Sequence, residues 1–386
     1  MIGGQKAEIA TVIQNFLPEL HRQKPLPNHH LRTLNALQRC RTEAMGGRVE
    51  HCDQCGHEQI VYNSCRNRHC PKCGSLDREK WLITREADLL PVNYMHVVFT
   101  LPDKLNHLFL HHQVDCYNIL FRVVKQVISG FAANPKFLDA RMGYTAILHT
   151  WGQNLQYHPH LHLVVPAGGI TLNNRWKPSK GDGSFLFPVD QLSIVFRAQM
   201  VEALREYVKT EAIKVDAGLF NSLFNKEWVV YAKPPFAGPK QVLSYLGRYT
   251  HRVAISNNRI LQVDDKQVTF TWRDYHQDNK MMITELKGCD FLKRFSLHIL
   301  PPGFTRIRHY GFLSSAAKTK ALEALRLYFF MPEVNRSNLS WQEIAQSRME
   351  INPQCCTKCG GIMQTVKIIP DRFHRPIRAP SLSVSW

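Results

Sequence analysis

Five of the chain's 11 cysteines fall between Cys52 and Cys73, and that cluster constrains the fold more than any other feature. The spacing is Cys52-x2-Cys55, fourteen intervening residues, then Cys70-x2-Cys73. A C-x2-C knuckle offers two thiolates from one tight turn, and two knuckles supply the tetrahedral sulfur set that zinc prefers. The opening MIGGQKAEIATVIQNF has no basic leader running into an apolar stretch. The reading is therefore of an intracellular protein, where clustered cysteines hold metal rather than form disulfides. Structural zinc at Cys52, Cys55, Cys70 and Cys73 would supply folding energy to a segment too short to build its own core. Cys65, His69, His51 and His57 are surplus and could each replace a ligand. The distant Cys356-x2-Cys359, preceded by Cys355, is half a site, and a second zinc there would need remote ligands such as His374.

Charge narrows the partners. Lys plus Arg number 49 and Asp plus Glu 31, a formal net charge of +18 over 386 residues. Such an excess attracts polyanions, of which nucleic acid is the most abundant inside a cell. No apolar run is long enough to span a membrane, so a cytoplasmic, soluble protein is expected. Hydrophobic periodicity divides the chain into a helical and zinc-binding region over 1–90, an α+β region over 91–300 and a C-terminal extension over 301–386. In the middle region VNYMHVVFTLP, YTAILHTW and HLHLVVPAGGI read as strands, with helices over 103–133 and 190–213. RVAIS, RILQV and KQVTFTWRDY read as a β-meander turned at Asn257-Asn258 and Asp264-Asp265-Lys266.

Two patterns carry chemistry. HTWGQNLQYHPHLHLVV holds His149, His158, His160 and His162. Residues two apart on a strand share a face, so His160 and His162 point together and can hold a divalent cation with a third ligand. Further on, Gly238-Pro239 opens a helix carrying Tyr245 and Tyr249, four apart and therefore on one face, flanked by Arg248, His251 and Arg252. A tyrosine hydroxyl titrates near 10 and becomes a useful nucleophile only with assistance, which a metal on the phosphoryl oxygen and nearby arginines would provide. Arg66 and Arg68, between the cysteine knuckles, and Lys72, within the second, are candidate phosphate contacts.

These residues resemble the HUH-type rolling-circle transposases of the IS91 family of bacterial insertion sequences. The resemblance covers nearly the whole chain: CRT and GG over 40–47, NSCRNRHCPKC (63–73), HVVFTLP (96–102), HTWGQNLQYHPHLHLVVPAGG (149–169), YLGRYTHRVAIS (245–256), FTWRDY (270–275) and FLKRFSLHILPPGFTRIRHYGFL (291–313). It implies an α+β fold in which an antiparallel sheet of ferredoxin-like type forms the HUH endonuclease core, with the N-terminal helical zinc-binding module attached. It further implies a single-strand DNA endonuclease and strand transferase acting at insertion-sequence ends and on target DNA, associated with the nucleoid when acting. His160-Leu161-His162 matches the HUH motif that binds Mg²⁺ or Mn²⁺, and Tyr245 and Tyr249 match the paired nucleophiles that form 5′-phosphotyrosine. Conjugative relaxases share this chemistry and place a histidine eleven positions before the pair, where His149 stands here; His158 and Gln153 are the weaker alternatives. Three rivals remain: a plasmid relaxase or replication initiator, a zinc-dependent nucleic-acid-binding protein without enzymatic activity, and a metallohydrolase, which lacks an evident general-base carboxylate.

Overall fold

Alternation along the histidine-bearing strands sets the architecture. The computed structural model describes residues 7–225, 227–236, 241–242, 247, 253–274, 277–332 and 339–372. Its central sheet has five antiparallel strands in the order β12-β4-β5-β3-β8, where β3 is Tyr94–Thr100, β4 Gly143–Trp151, β5 Tyr157–Pro166, β8 Val230–Phe236 and β12 Ile307–Gly311. The histidine strand β5 is the middle one. A strand sends alternate side chains to opposite faces. Val97, Phe99, Ala146, Leu148, Leu161 and Leu163 accordingly enter the main core, while His149, His160 and His162 take the other face.

Two long helices cover the apolar face. Gln113–Ala133 buries Tyr117, Leu120, Val124, Val127 and Phe131, and Val189–Thr210 buries Leu192, Phe196, Met200 and Leu204 at a spacing of four. Each such side chain contributes about 1.5–3 kcal/mol when fully buried. The segment over 103–133 is less continuous than its periodicity suggests: a short helix Asn106–His111 precedes the long one, with His112 between them outside helical geometry.

The N-terminal helices Ile9–Gln23 and Asn28–Arg39 do not build a core of their own. Ile13, Phe16, Leu17 and Leu20 pack with Phe270, Phe291, Leu292 and Phe295, so residues before 45 share one cluster with residues 254–299. The expected meander is displaced by one strand. Its sheet is β9 (Ile260–Val263), β10 (Gln267–Asp274) and β11 (Lys280–Lys287), a strand absent from the sequence reading. RVAIS is unpaired along Ala254 and Ile255, which are buried in that shared cluster, and Asn257–Arg259 is a 3-10 turn. The Asn257 side chain explains the difference, since its Oδ1 accepts from the Ile9 N–H at 3.2 Å and its Nδ2 donates to Glu8.

The last region also departs from a separate extension. Helix Trp341–Met349 opens on a capping box in which Ser340 and Glu343 satisfy each other's backbone N–H. Strand β13 (Met363–Ile369) then returns to pair with β1 (Gly47–Cys52), which also pairs with β2 (Glu58–Tyr62). Gly46, at φ +63, permits this return, because a Cβ there would stand 2.6 Å from the Ile369 carbonyl oxygen. A small hairpin, β6 (Gly168–Ile170) with β7 (Trp176–Pro178), completes the described strands. No described helix is long and apolar enough to cross a membrane.

Candidate active site and metal centres

Register places the histidines. His149 on β4 is directly opposite His160 on β5, and His162 stands two residues further along the same face. Their donor nitrogens lie within 4.8 Å of one another. His160 Nδ1 is 2.6 Å from the His158 carbonyl, to which it donates, leaving its Nε2 lone pair directed at His162 Nε2, 3.0 Å away. His162 in turn sets Nδ1 against Nε2 of His96, on β3, at 2.8 Å, with the two rings stacked. A proton on His162 Nδ1, donated to His96, makes Nε2 the nitrogen that can ligate a cation. The two Nε2 lone pairs then converge on one point, an arrangement that a cation between them would stabilise. The ring of His149 stacks on Trp151 with centroids 4.8 Å apart, which fixes its approach to the same point.

The trio stands at the wall of an open cleft of about 720 Å³. Tyr231, Trp272, Arg259, Arg273 and Asn279 also line it. Arg259 donates to the carbonyls of Thr271 and Gln153, tying β10 to the turn between β4 and β5. His298 braces that turn from beneath: its Nε2–H donates to the Leu155 carbonyl at 3.1 Å, and Nδ1 faces the Thr150 hydroxyl. Burial holds the His298 imidazole at about 4, so it is neutral. His158 lines the cleft too, but its ring turns toward Asp103, 3.7 Å away.

The cysteines form two sets of four, and neither is the set expected from the knuckle spacing. Cys40, Cys65, Cys70 and Cys73 converge in one, and Cys52, Cys55, Cys356 and Cys359 in the other, each with sulfurs within 4.8 Å of one another. Cys52 and Cys55 therefore do not share a centre with Cys70 and Cys73. The physical reason is strand pairing: β1 ends on Cys52, opposite Met363 of β13, so the C-terminal knuckle reaches it first. In the first set Cys40 Sγ is 3.3 Å and Cys65 Sγ 3.7 Å from Cys73 Sγ. Hydrogen bonds from Cys40, Cys65 and Cys70 pull the Cys73 thiol well below its usual range, while the same crowding pushes Cys70 up. A dication lets all four ionise together, so this donor set fits zinc. His69 is buried but stands outside both sets, as do His51 and His57.

Sequence comparisons place the chain among transposases. The family described as "Transposase zinc-binding domain", defined on IS91 elements, matches residues 12–101, and the family described as "Putative transposase" matches residues 143–321. "Putative transposase y4qJ" of Sinorhizobium fredii is 45% identical over 333 residues, covering 83% of this chain and 83% of that one. The chain belongs to the IS91 transposase family. "Transposase for insertion sequence element IS801" of Pseudomonas savastanoi pv. phaseolicola is 27% identical over 352 residues, 86% of this chain and 82% of that one. No solved structure matches the chain.

Within this transposase the other candidate residues divide sharply. Tyr245, Tyr249, Arg248, Arg252 and His374 lie outside the described residues. Arg68 is committed to the fold, donating to the Phe304 and Pro301 carbonyls at 2.6 and 3.0 Å. Lys72 pairs with Glu8 at 2.6 Å. Both are half-buried with these contacts made, whereas Arg66, at φ +50, is exposed. Sequence reasoning missed His96 because its role depends on strand register; HVVFTLP marks a strand but not its neighbour. Changing His96 to alanine is expected to weaken divalent-metal binding about 10–100-fold while leaving the zinc content unchanged. Calorimetric Mn²⁺ titration checks this, and unchanged affinity would show that His96 does not position His162.

Proposed function

We propose that this transposase nicks and rejoins single-stranded DNA at insertion-sequence ends through a 5′-phosphotyrosine intermediate, the chemistry of rolling-circle transposition. The observation that carries the reading is the three-histidine cluster open to a cleft. Val242, three residues before Tyr245, is fully buried against Ile147 and Val164. Ile147 is the register partner of His162, so this contact lies on the histidine face of the sheet. Gly247, between the two tyrosines in sequence, lies close to Leu82 of the helix Ser75–Glu86, where a Cβ would be 3.0 Å from Leu82 Cδ1.

In this reading a tyrosine oxygen bonds to the scissile phosphorus and the P–O3′ bond breaks. The 3′ oxygen takes up a proton, leaving a free 3′-hydroxyl and a 5′-phosphotyrosine. Attack by the 3′-hydroxyl of another strand reverses the step and joins donor to target. His149, His160 and His162 would hold the divalent ion, which when bound polarises a non-bridging phosphate oxygen. An all-imidazole set suits Mn²⁺ better than Mg²⁺, which prefers oxygen ligands. Arg273, exposed in the cleft, would balance phosphate charge, and Tyr231, 48% exposed, offers a face on which an unpaired base can stack. The basic charge and the exposed Arg66 support binding along a longer stretch of strand, in a cell's nucleoid.

The test incubates the protein with labelled single-stranded DNA from the element's terminus, with and without Mn²⁺ or Mg²⁺. A metal-dependent adduct that survives denaturation, and is absent from the Tyr245→Phe/Tyr249→Phe double variant, is expected. Tight binding without any adduct would instead leave a DNA-binding protein.

A further inference from the structure

We propose that Cys52, Cys55, Cys356 and Cys359 form a second zinc centre, a clasp that locks the C-terminal strand onto the N-terminal module. The matched zinc-binding family ends at residue 101, so it does not include Cys356 or Cys359. The argument begins with the backbone. CDQCG (52–56) and CTKCG (356–360) are the same knuckle written twice. Each closes on a glycine in the left-handed region, Gly56 at φ +67 and Gly360 at φ +82. In each, that glycine's N–H donates to the carbonyl of the first cysteine, at 3.2 and 2.9 Å. Their sulfurs interleave: Cys52 Sγ is 3.5 Å from Cys359 Sγ, and Cys55 Sγ is 3.7 Å from Cys356 Sγ.

Backbone N–H groups also aim at the C-terminal sulfurs, Lys358 N at Cys356 Sγ and Gly361 N at Cys359 Sγ, each at 3.4 Å. Such donors stabilise thiolate, the form a metal needs. Four sulfurs in tetrahedral reach, with no histidine or carboxylate among them, select zinc over harder cations.

The surrounding chain is built for closure. The Asp53 N–H donates to the Ile362 carbonyl, and the Ile362 N–H donates to Asp53 Oδ1 at 2.8 Å. Gly361 leaves no room for a side chain, since a Cβ would stand 2.9 Å from Cys52 Sγ. Arg372 then pairs with Glu43, holding the far end of β13. The clasp thus joins cysteines 301 positions or more apart. It also differs from the first centre in access: Cys55 and Cys359 are exposed, whereas Cys40, Cys65 and Cys70 are buried. Its metal will exchange faster.

Elemental analysis of the purified full chain tests the proposal. Two zinc ions per chain are expected, falling to one in Cys356→Ser/Cys359→Ser. A chromogenic chelator should release zinc from the wild type in two phases, the faster of which is lost in the variant. Because that variant could misfold, the wild type is also loaded with Co²⁺, where thiolate-to-cobalt absorption should correspond to eight sulfurs. Trypsin should cut at Lys358 and Lys367 in the variant well before it does so in the wild type. One zinc in the wild type, two retained in the variant, cobalt absorption of four sulfurs, or disulfides in place of thiols would each overturn the assignment.

Discussion

Replacing His162 with alanine is expected to lower the rate of metal-dependent strand cleavage by about 10³-fold or more, with the chain still folded. The size follows from position. His162 is the histidine that meets both His160, at 3.0 Å, and His96, at 2.8 Å, so its loss removes a ligand and disconnects the residue that orients it. With only two imidazoles on an open cleft, the site would hold a divalent ion weakly and supply little polarisation of phosphate. His158→Ala is the matched control, since that ring turns to Asp103, and should change the rate little. Nicking assays across a Mn²⁺ series check both variants. Full activity of His162→Ala would remove the histidine cluster from the chemistry.

A serine at Cys70 should be equally severe for folding. Cys70 is 2% exposed and shares its centre with Cys40, Cys65 and Cys73. A structural zinc contributes an apparent ~10–16 kcal/mol. That is comparable to the ~5–15 kcal/mol by which whole domains are stable. The damage should also spread. Cys40, Cys65 and Cys70 lie in the same cluster as Phe16, Phe270 and Phe291, so loss of the centre loosens the packing of residues 254–299. Thermal unfolding should occur at least about 10 °C lower and with reduced cooperativity. A variant that keeps its zinc and its melting temperature would contradict this.

The sequence made the chemistry legible and the partnerships less so. Cysteine knuckles announce metal through local spacing, and HLH announces a shared strand face through the period of two; both signals lie within a few residues. Which knuckle meets which depends on β13 pairing with β1, a contact between the two ends of the chain. A signal was nevertheless present: Cys70-x2-Cys73 is followed by Gly74, so CDQCG, CPKCG and CTKCG are three copies of one pattern, and three knuckles cannot all pair. Cys65 and Cys40, in no knuckle, complete the odd one. The middle position of β5 is set by the sheet order, which no local pattern announces. The fold contacts of Arg68 and Lys72 were not legible, because a basic loop looks solvated until Pro301, Phe304 and Glu8 are brought beside it. His96 was hidden for the same reason. Cores and strand pairs cross positions 90 and 300, since residues before 45 pack with 254–299 and β13 pairs with β1.

The most direct measurement locates the covalent bond. Trypsin cuts after Lys240, Arg248 and Arg252, so Tyr245 and Tyr249 leave the chain on different peptides, QVLSYLGR and YTHR. Mass spectrometry of the adduct formed with Mn²⁺ and single-stranded terminal DNA should find the nucleotide on one or both of these peptides, attached through tyrosine oxygen. A nucleotide found on any other peptide, or cleavage with no covalent adduct, would contradict the account.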